Sequence, residues 1–356
     1  MLKYIDNSDT EQDKDNFSNW LAGFVDGEGC FSLSIEPKKG SYQYRPKFSI
    51  AVRYDDIYIL EQIRKLLKWS GNICRSDRDD CTSNPIAIYS VRDPDELSNI
   101  IIPFFEKYTL RAKKSKDFQI WKKAVDILCT VKQRPVIYKH LNGKRISHTR
   151  WKQKECDDFA YLSNLLKQNR MYVEPKIDEI VSLDHNIINR RDFGNWFAGF
   201  TDGEGCFDLQ VFYVNNYWSA LGEYRLKIRY DDLPILETIK TYIGSGSISR
   251  VKEECKARPR GNYLITGTKF LADTMIPFFE KHRLRAKKSR DFEIWKDGIL
   301  MQLEIKNRPR IYRKKQRGGY LPKWTELEKN HFEKLCQSLK DIRKYKELLK
   351  IKEQLC

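Results

Sequence analysis

The chain has 356 residues, with 66 Lys and Arg against 49 Asp and Glu and a formal net charge of +17. Its 40% hydrophobic and 13% aromatic residues are enough for a buried core and argue against a disordered chain. No apolar run reaches about 18 residues, which argues against a membrane span, and so large a basic excess points to nucleic acid.

Acidic residues Asp6, Asp9, Glu11, Asp13 and Asp15 crowd the start, unlike an acid-poor transit peptide or a signal peptide with its apolar core. The expectation is a chain that acts where it is made. Residues 1–19 read as an N-terminal tail. "FSNWLAGFVDGEG" then reads as a helix closed by Gly29, which suits a left-handed cap. In "CFSLSIE", Phe31, Leu33 and Ile35 alternate with Cys30, Ser32 and Ser34, the pattern of a half-buried strand. In "KFSIAVRY", Phe48, Ile50 and Val52 alternate with Lys47, Ser49, Ala51 and Arg53. A helix over "DDIYILEQIRKLL", strands over "GNICRS" and "IAIYSV", and helices from Pro94 and Lys113 follow. Charged segments with leucine spacing at 150–174 and 323–350 read as helical packing appendages.

The second half repeats the first. "WLAGFVDGEGCF" at 20–31 returns as "WFAGFTDGEGCF" at 196–207, ten of twelve letters agreeing. "IIPFFEKYTLRAKKSKDFQIWK" from 101 returns from 275 with 17 of 22 letters kept. The domain reading is a first repeat with its helical extension over 20–171, a linker over 172–192 and a second repeat over 193–350. Two copies are too few for a solenoid, so the expected fold is α+β: tandem αββαββα repeats about a pseudo-twofold axis. In copy two, Phe207, Leu209 and Val211 face inward and Asp208 and Gln210 outward. Leu226 and Ile228 likewise oppose Arg225, Lys227 and Arg229. Antiparallel sheets with a basic, polar face are expected, the kind of surface that reads a DNA groove. Nine scattered cysteines, none in a CxxC pair, and five histidines complete no zinc spacing; the thiols read as structural ones in a reducing compartment.

Glycine in mid-helix costs about 1 kcal/mol, so Gly23 and Gly199, kept at matching positions, suggest a close approach between the repeats. Asp26, Glu28, Asp202 and Glu204 lie in the last helical turn, where the dipole disfavours negative charge. Meeting at a twofold, these carboxylates would call for a cation, and oxygen ligands beside phosphate suit Mg²⁺. Asp26 and Asp202 alternatively pin local backbone at the repeat interface, leaving Glu28 and Glu204 as the metal ligands.

"LAGFVDGEG" and "FAGFTDGEG" resemble the nine-residue signature of LAGLIDADG homing endonucleases in their single-chain, two-repeat form. The likeness extends through both repeats, including the "I-G-x-G-x-I"-like turn at 243–248 and the late "K-K-x-x-D-F" helix. It implies saddle-shaped sheets in the major groove and metal-dependent hydrolysis of both strands, with 3′ overhangs. Its metal-binding acid falls on Glu28 and Glu204, glutamate standing where the family has aspartate. Its polar active-site position falls on Arg53 and Arg229, and its lysine on Lys114 and Lys288, with Lys113 and Lys287 competing. A phosphate clamp or a solvated face is the other reading of these basic residues. Base reading would come from Ser32, Ser34, Lys47 and Ser49 in copy one, and from Asp208, Gln210, Arg225 and Lys227 in copy two. Because the two sets differ, the implied site is long and only loosely palindromic, bound by a monomer. A maturase binding intron RNA, alone or combined with nuclease activity, and a degenerate transcriptional regulator are the competing readings; intact acids argue against the last. A Lys-, Ile- and Tyr-rich composition suggests an AT-rich organelle, a mitochondrion or else a plastid.

Overall fold

In the computed structural model the described residues are 10–38, 41–77, 84–135, 138–141, 144–147, 150–175, 190–214, 217–251, 258–309, 312–313, 319–320 and 323–345. They form two units divided after Val173, each with the same order of elements. Most of the stretch expected to link the repeats lies outside the described residues, as do Cys81, Cys255 and Cys356. The described cysteines Cys30, Cys74, Cys129, Cys156, Cys206 and Cys336 are free thiols.

In the first unit, helix α1 spans Glu11–Glu28, so it starts inside the expected tail. Thr10 Oγ1 accepts from the Asp13 amide at 3.2 Å while the Thr10 amide donates to the Asp13 carboxylate at 3.3 Å. This reciprocal cap satisfies two amides that the helix leaves unpaired. At the other end the left-handed glycine is corrected, because Gly29 is extended, with φ −76° and ψ 160°. The demand there is for space: a Cβ would stand 2.5 Å from Val25 Cγ1 and 2.7 Å from Val25 O. The chain therefore leaves the helix directly as strand β1 (Gly29–Lys38).

Strand β2 (Ser41–Arg53) pairs antiparallel with β1, setting Phe31 opposite Phe48 and Ser32 opposite Lys47. Helix α2 (Ile57–Leu66) leads to β3 (Asn72–Ser76) and β4 (Ile86–Val91), and the sheet order is β1-β2-β4-β3. A helical run, α3 over 94–107, holds a π turn at Leu97–Ile101 and precedes α4 (Lys114–Lys132). The inner sheet face and these helices close over an aromatic core. Phe31 lies 5.6 Å from Phe105, 5.5 Å from Phe118 and 5.2 Å from Trp121, ring centre to ring centre. A hairpin of β5 (Tyr138–Leu141) and β6 (Lys144–Ser147), absent from the sequence reading, precedes α5 (Gln153–Asn169).

The second unit repeats this order with α6 (Arg190–Glu204), β7 (Gly205–Val214), β8 (Tyr217–Arg229), α7 (Leu233–Ile243), β9 (Ser247–Val251) and β10 (Arg260–Ile265). Run α8 over 268–281, α9 (Lys288–Asn307), the short pair β11 (Tyr312–Arg313) and β12 (Gly319–Tyr320), and α10 (Glu326–Ile342) complete it. Its sheet order is β7-β8-β10-β9. The glycine turn read at 243–248 is present, with Gly244 at φ +84° and Gly246 at φ +102°. The first unit instead places Lys68 and Trp69 at φ +55° and +62° before Gly71, a conformation that non-glycine residues rarely adopt.

One pair of differences between the copies is compensated. Where copy one has Val25 and Phe48, copy two has Thr201 and Tyr224, and their hydroxyls lie 2.7 Å apart in full burial. Burial raises the Tyr224 phenol well above its ordinary value, while Thr201 pulls it down.

Both appendage helices dock by apolar stripes, Phe159, Leu162 and Leu166 on α5 and Phe332, Cys336 and Leu339 on α10. Each is also tied at its start. Arg134 forks onto Glu155, which accepts from the Lys152 amide at 2.9 Å. Arg308 meets Glu328 at 2.6 Å, and Glu328 accepts from the Thr325 amide at 2.8 Å. The Arg134 guanidinium holds the Glu155 carboxyl down at about 2. A depressed carboxyl stabilises the fold above the ordinary carboxylate range, and that contribution is lost as pH falls toward its folded value. Glu155→Gln is therefore expected to lower the thermal unfolding midpoint at neutral pH. The gap to the wild type should close as both are acidified toward about 2.

Candidate acid-lysine site and strand face

The signature helices end in a carboxylate that is exposed at Glu28 and half-buried at Glu204. Each acid stands beside its helix's last carbonyls, where the backbone dipole is negative. A lysine at the first position of the later helix answers that charge. Lys114 Nζ donates to Val25 O at 3.2 Å and also to Gly27 O. Lys288 Nζ donates to Gly203 O at 2.6 Å. Lys114 and Lys288 are thus brought to the acid-bearing helix end, and Lys113 reaches Met171 O at 3.3 Å.

Asp26 and Asp202, two residues earlier, are 5% exposed. Asp26 Oδ2 accepts from the Arg111 amide at 2.7 Å. Asp202 Oδ2 accepts from the amides of Arg285 at 2.7 Å and Ala286 at 3.2 Å. These acids pin the backbone that leads into α4 and α9, and so set where Lys114 and Lys288 begin. Gly23 and Gly199 are buried on their helices.

Arg53 and Arg229 are placed differently. Arg53 grips Asp55 with both arms, Nε to Oδ1 and Nη2 to Oδ2 at 2.6 Å each, and Arg229 forks onto Asp231, Nε to Oδ1 at 2.9 Å. The Asp55 and Asp231 side chains are only 5% and 1% exposed. Such forks neutralise carboxylates that would be costly alone.

The strand residues expected to read bases line one sheet face in each unit. Ser34 is exposed, and Ser32 and Lys47 are half-exposed and directly opposite. Ser49 is the departure: on the central strand between Cys30 and Ser90, it is only 8% exposed. In the second unit Gln210 donates to Asp208 at 2.6 Å, Arg225 pairs with the buried Glu223, and Lys227 is exposed. The register adds residues that the sequence reading did not reach. Asn262 lies beside Lys227 and Arg260 beside Arg229, while Ser90 faces Asn72. Alternation within "RGNYLI" was the available signal. The first face mixes serine hydroxyls with Lys47 and the Glu36–Arg45 ion pair, while the second sets Asp208, Arg225, Lys227, Arg229 and Arg260 together.

The LAGLIDADG endonuclease family profile matches the chain twice, over residues 21–125 and 197–299, together more than half of its length. Probable intron-encoded endonuclease 2 of Neurospora crassa is 26% identical over 310 residues, 83% of this chain and 62% of that protein. Uncharacterized mitochondrial protein RF1 of Saccharomyces cerevisiae is 22% identical over 307 residues, 82% of this chain and 56% of that protein. The chain thus spans little more than half the length of these curated relatives. A solved structure of I-SmaMI bound to an uncleaved DNA target in the presence of calcium ions superimposes with a TM-score of 0.69 at 20% identity. It covers 91% of this chain and 98% of that one, and at this identity the likeness is one of fold.

Because Arg53 compensates a buried carboxylate, Arg53→Ala is expected to cost up to about 3 kcal/mol in chemical denaturation, the scale of a buried pair losing one partner. Adding Asp55→Asn should recover most of that loss. A stable Arg53→Ala protein would remove this role from the arginine.

The family profile falls on both copies of the same motif set, a buried signature helix ending in an acid, a strand face and a lysine returning to the helix end. The chain belongs to the LAGLIDADG endonuclease family.

Proposed function

We propose that this protein is a site-specific endonuclease that cuts both strands of double-stranded DNA, one strand per unit, as the product of an intron. The observation that carries the reading is the twice-built pairing of an acid at the signature helix end with a lysine reaching that end's carbonyls, Glu28 with Lys114 and Glu204 with Lys288. Each pairing accompanies a polar strand face and a chain of net charge +17, suited to a phosphate backbone.

The donor set is consistent with a hard divalent ion. Each unit offers one carboxylate, and no group of three His, Cys, Asp or Glu side chains able to cage a metal is gathered among the described residues. That excludes a closed structural zinc site there and suits Mg²⁺, which keeps waters and shares phosphate oxygens with one or two carboxylates. Glu28 and Glu204 would hold it. When bound, such an ion supplies charge to the scissile phosphate and acidifies a coordinated water. Lys114 and Lys288 bring a cation to the same helix ends, where developing phosphate charge is stabilised best by groups already in place. Outward strand residues Ser32, Ser34, Lys47, Asp208, Gln210, Arg225 and Lys227 would meet the grooves, with backbone contacts fixing register and base edges giving specificity.

The different chemistry of the two strand faces supports a target whose halves are unlike. The names of the relatives, one intron-encoded and one mitochondrial, support action within a mitochondrion, and no described helix is long and apolar enough to cross a membrane.

The test is cleavage of DNA spanning the intronless exon junction of the host gene in the presence of Mg²⁺. Wild type should cut both strands. Glu28→Gln should leave one strand intact and Glu204→Gln the other, each with DNA binding retained. Double-strand cutting by either variant would overturn the assignment of the acids. Tight binding of intron RNA without DNA cleavage would replace the endonuclease with a maturase.

A further inference from the structure

A second polar tie is repeated in both units, and it ends on neither the acid nor the lysine. In the first unit Arg170, just past α5, donates from Nε to Asp117 Oδ2 at 2.7 Å and from Nη2 to the Phe31 carbonyl. In the second, Arg343, just past α10, donates from Nε to Asp291 Oδ2 at 2.7 Å and from Nη2 to the Phe207 carbonyl. Asp117 and Asp291 are each 6% exposed. Asp117 lies three residues after Lys114, on the same helix face, and Phe31 lies three residues after Glu28 along the emerging strand. One guanidinium thus joins the helix that carries the lysine to the strand that leaves the acid. Lys114 on Gly27 O closes the circuit, and Lys288 on Gly203 O does so in the second unit.

Docking of the appendages does not require this tie, since Phe159, Leu162 and Leu166 already bury an apolar stripe. A buried ion pair is a poor device for stability alone, because desolvation offsets much of its attraction, but a two-armed guanidinium is a good device for fixing geometry. The neighbours of the fork differ between copies while the fork persists. Asn169 also donates to Asp117 at 2.6 Å; the second unit has Ile342 at that place. There Asp291 Oδ1 is buried without a hydrogen-bond partner among the described residues, burial lifts its carboxyl above the ordinary range, and Arg343 also approaches Asp208 at 3.9 Å.

We propose that Arg170 and Arg343 are positioning residues, each holding the lysine of its unit against the acid-bearing helix end through the fork to Asp117 or Asp291. This rests on the reading of each unit as the cutter of one strand. Two measurements test it on the full chain. The first is limited acetylation of the lysines with acetic anhydride, read residue by residue by mass spectrometry, with no DNA or metal present. Arg170→Met should raise labelling of Lys114 severalfold and leave Lys288 unchanged; Arg343→Met should do the reverse. The second is single-turnover cleavage resolved by strand. Arg170→Met should slow by roughly ten- to a hundredfold, the scale of a misplaced group, only the strand that Glu28→Gln spares. DNA affinity and the other strand's rate should hold. Should Arg170→Met fail to fold, Arg170→Lys keeps a cation for Asp117 without the second arm and should give the same pattern. Unchanged Lys114 labelling, or equal slowing of both strands, overturns the proposal. Failure of the wild type to cut any DNA sinks the endonuclease reading instead, and the labelling still decides the role of the arginines.

Discussion

A carboxylate at the last position of an α-helix faces the negative end of the backbone dipole and a row of carbonyls without helical partners. Glu28 and Glu204 occupy that position. Much of the surrounding structure can be understood as compensation for it. The lysine ammonium lies on the carbonyls, the preceding aspartate holds the backbone that delivers the lysine, and the arginine fork fixes the lysine's helix to the outgoing strand. Each contact is modest alone, but together they place positive charge at the negative end of the helix that carries the acid.

Much of this architecture is legible in the sequence because it depends on periodicity and duplication. The alternation of Phe31 and Leu33 with Ser32 and Ser34 defines β1 and its faces, and the repeated blocks reveal two units. Features set by single contacts were less visible. Gly29 looks like a left-handed cap, yet its glycine is required by the Val25 carbonyl beside it. The start of α1 at Glu11 depends on a cap made by Thr10 and Asp13, in a stretch whose acidity suggested a tail. Arg53 and Arg229 share the strand position that the resemblance gives to a site residue, and the sequence alone does not show that Asp55 and Asp231, two residues on, also make them partners for buried acids.

The arginine forks show why the rest of the site escaped. Arg170 and Asp117 are 53 residues apart, and nothing local in "QNRMY" indicates a partner. The signal was present only as repetition, since "RMY" at 170 recurs as "RKY" at 343 while "KSKDF" recurs as "KSRDF". Residues that persist through duplication while their neighbours drift are candidates for long-range roles, even within a single sequence. The turn of Lys114 toward Gly27 is hidden in the sequence for the same reason, since Lys113 and Lys114 both precede the same aspartate.

The hydroxyl pair of Thr201 and Tyr224 constrains how the copies can have diverged. A buried phenol opposite valine would leave its hydroxyl unmet at a cost of about 1–3 kcal/mol, whereas threonine opposite phenylalanine can turn its hydroxyl back onto the helix's own carbonyls. The path of least resistance therefore changes the helix before the strand. The halves have become private pairings of helix and sheet, and a chimera that grafts the first signature helix onto the second sheet would leave the Tyr224 hydroxyl with no counterpart.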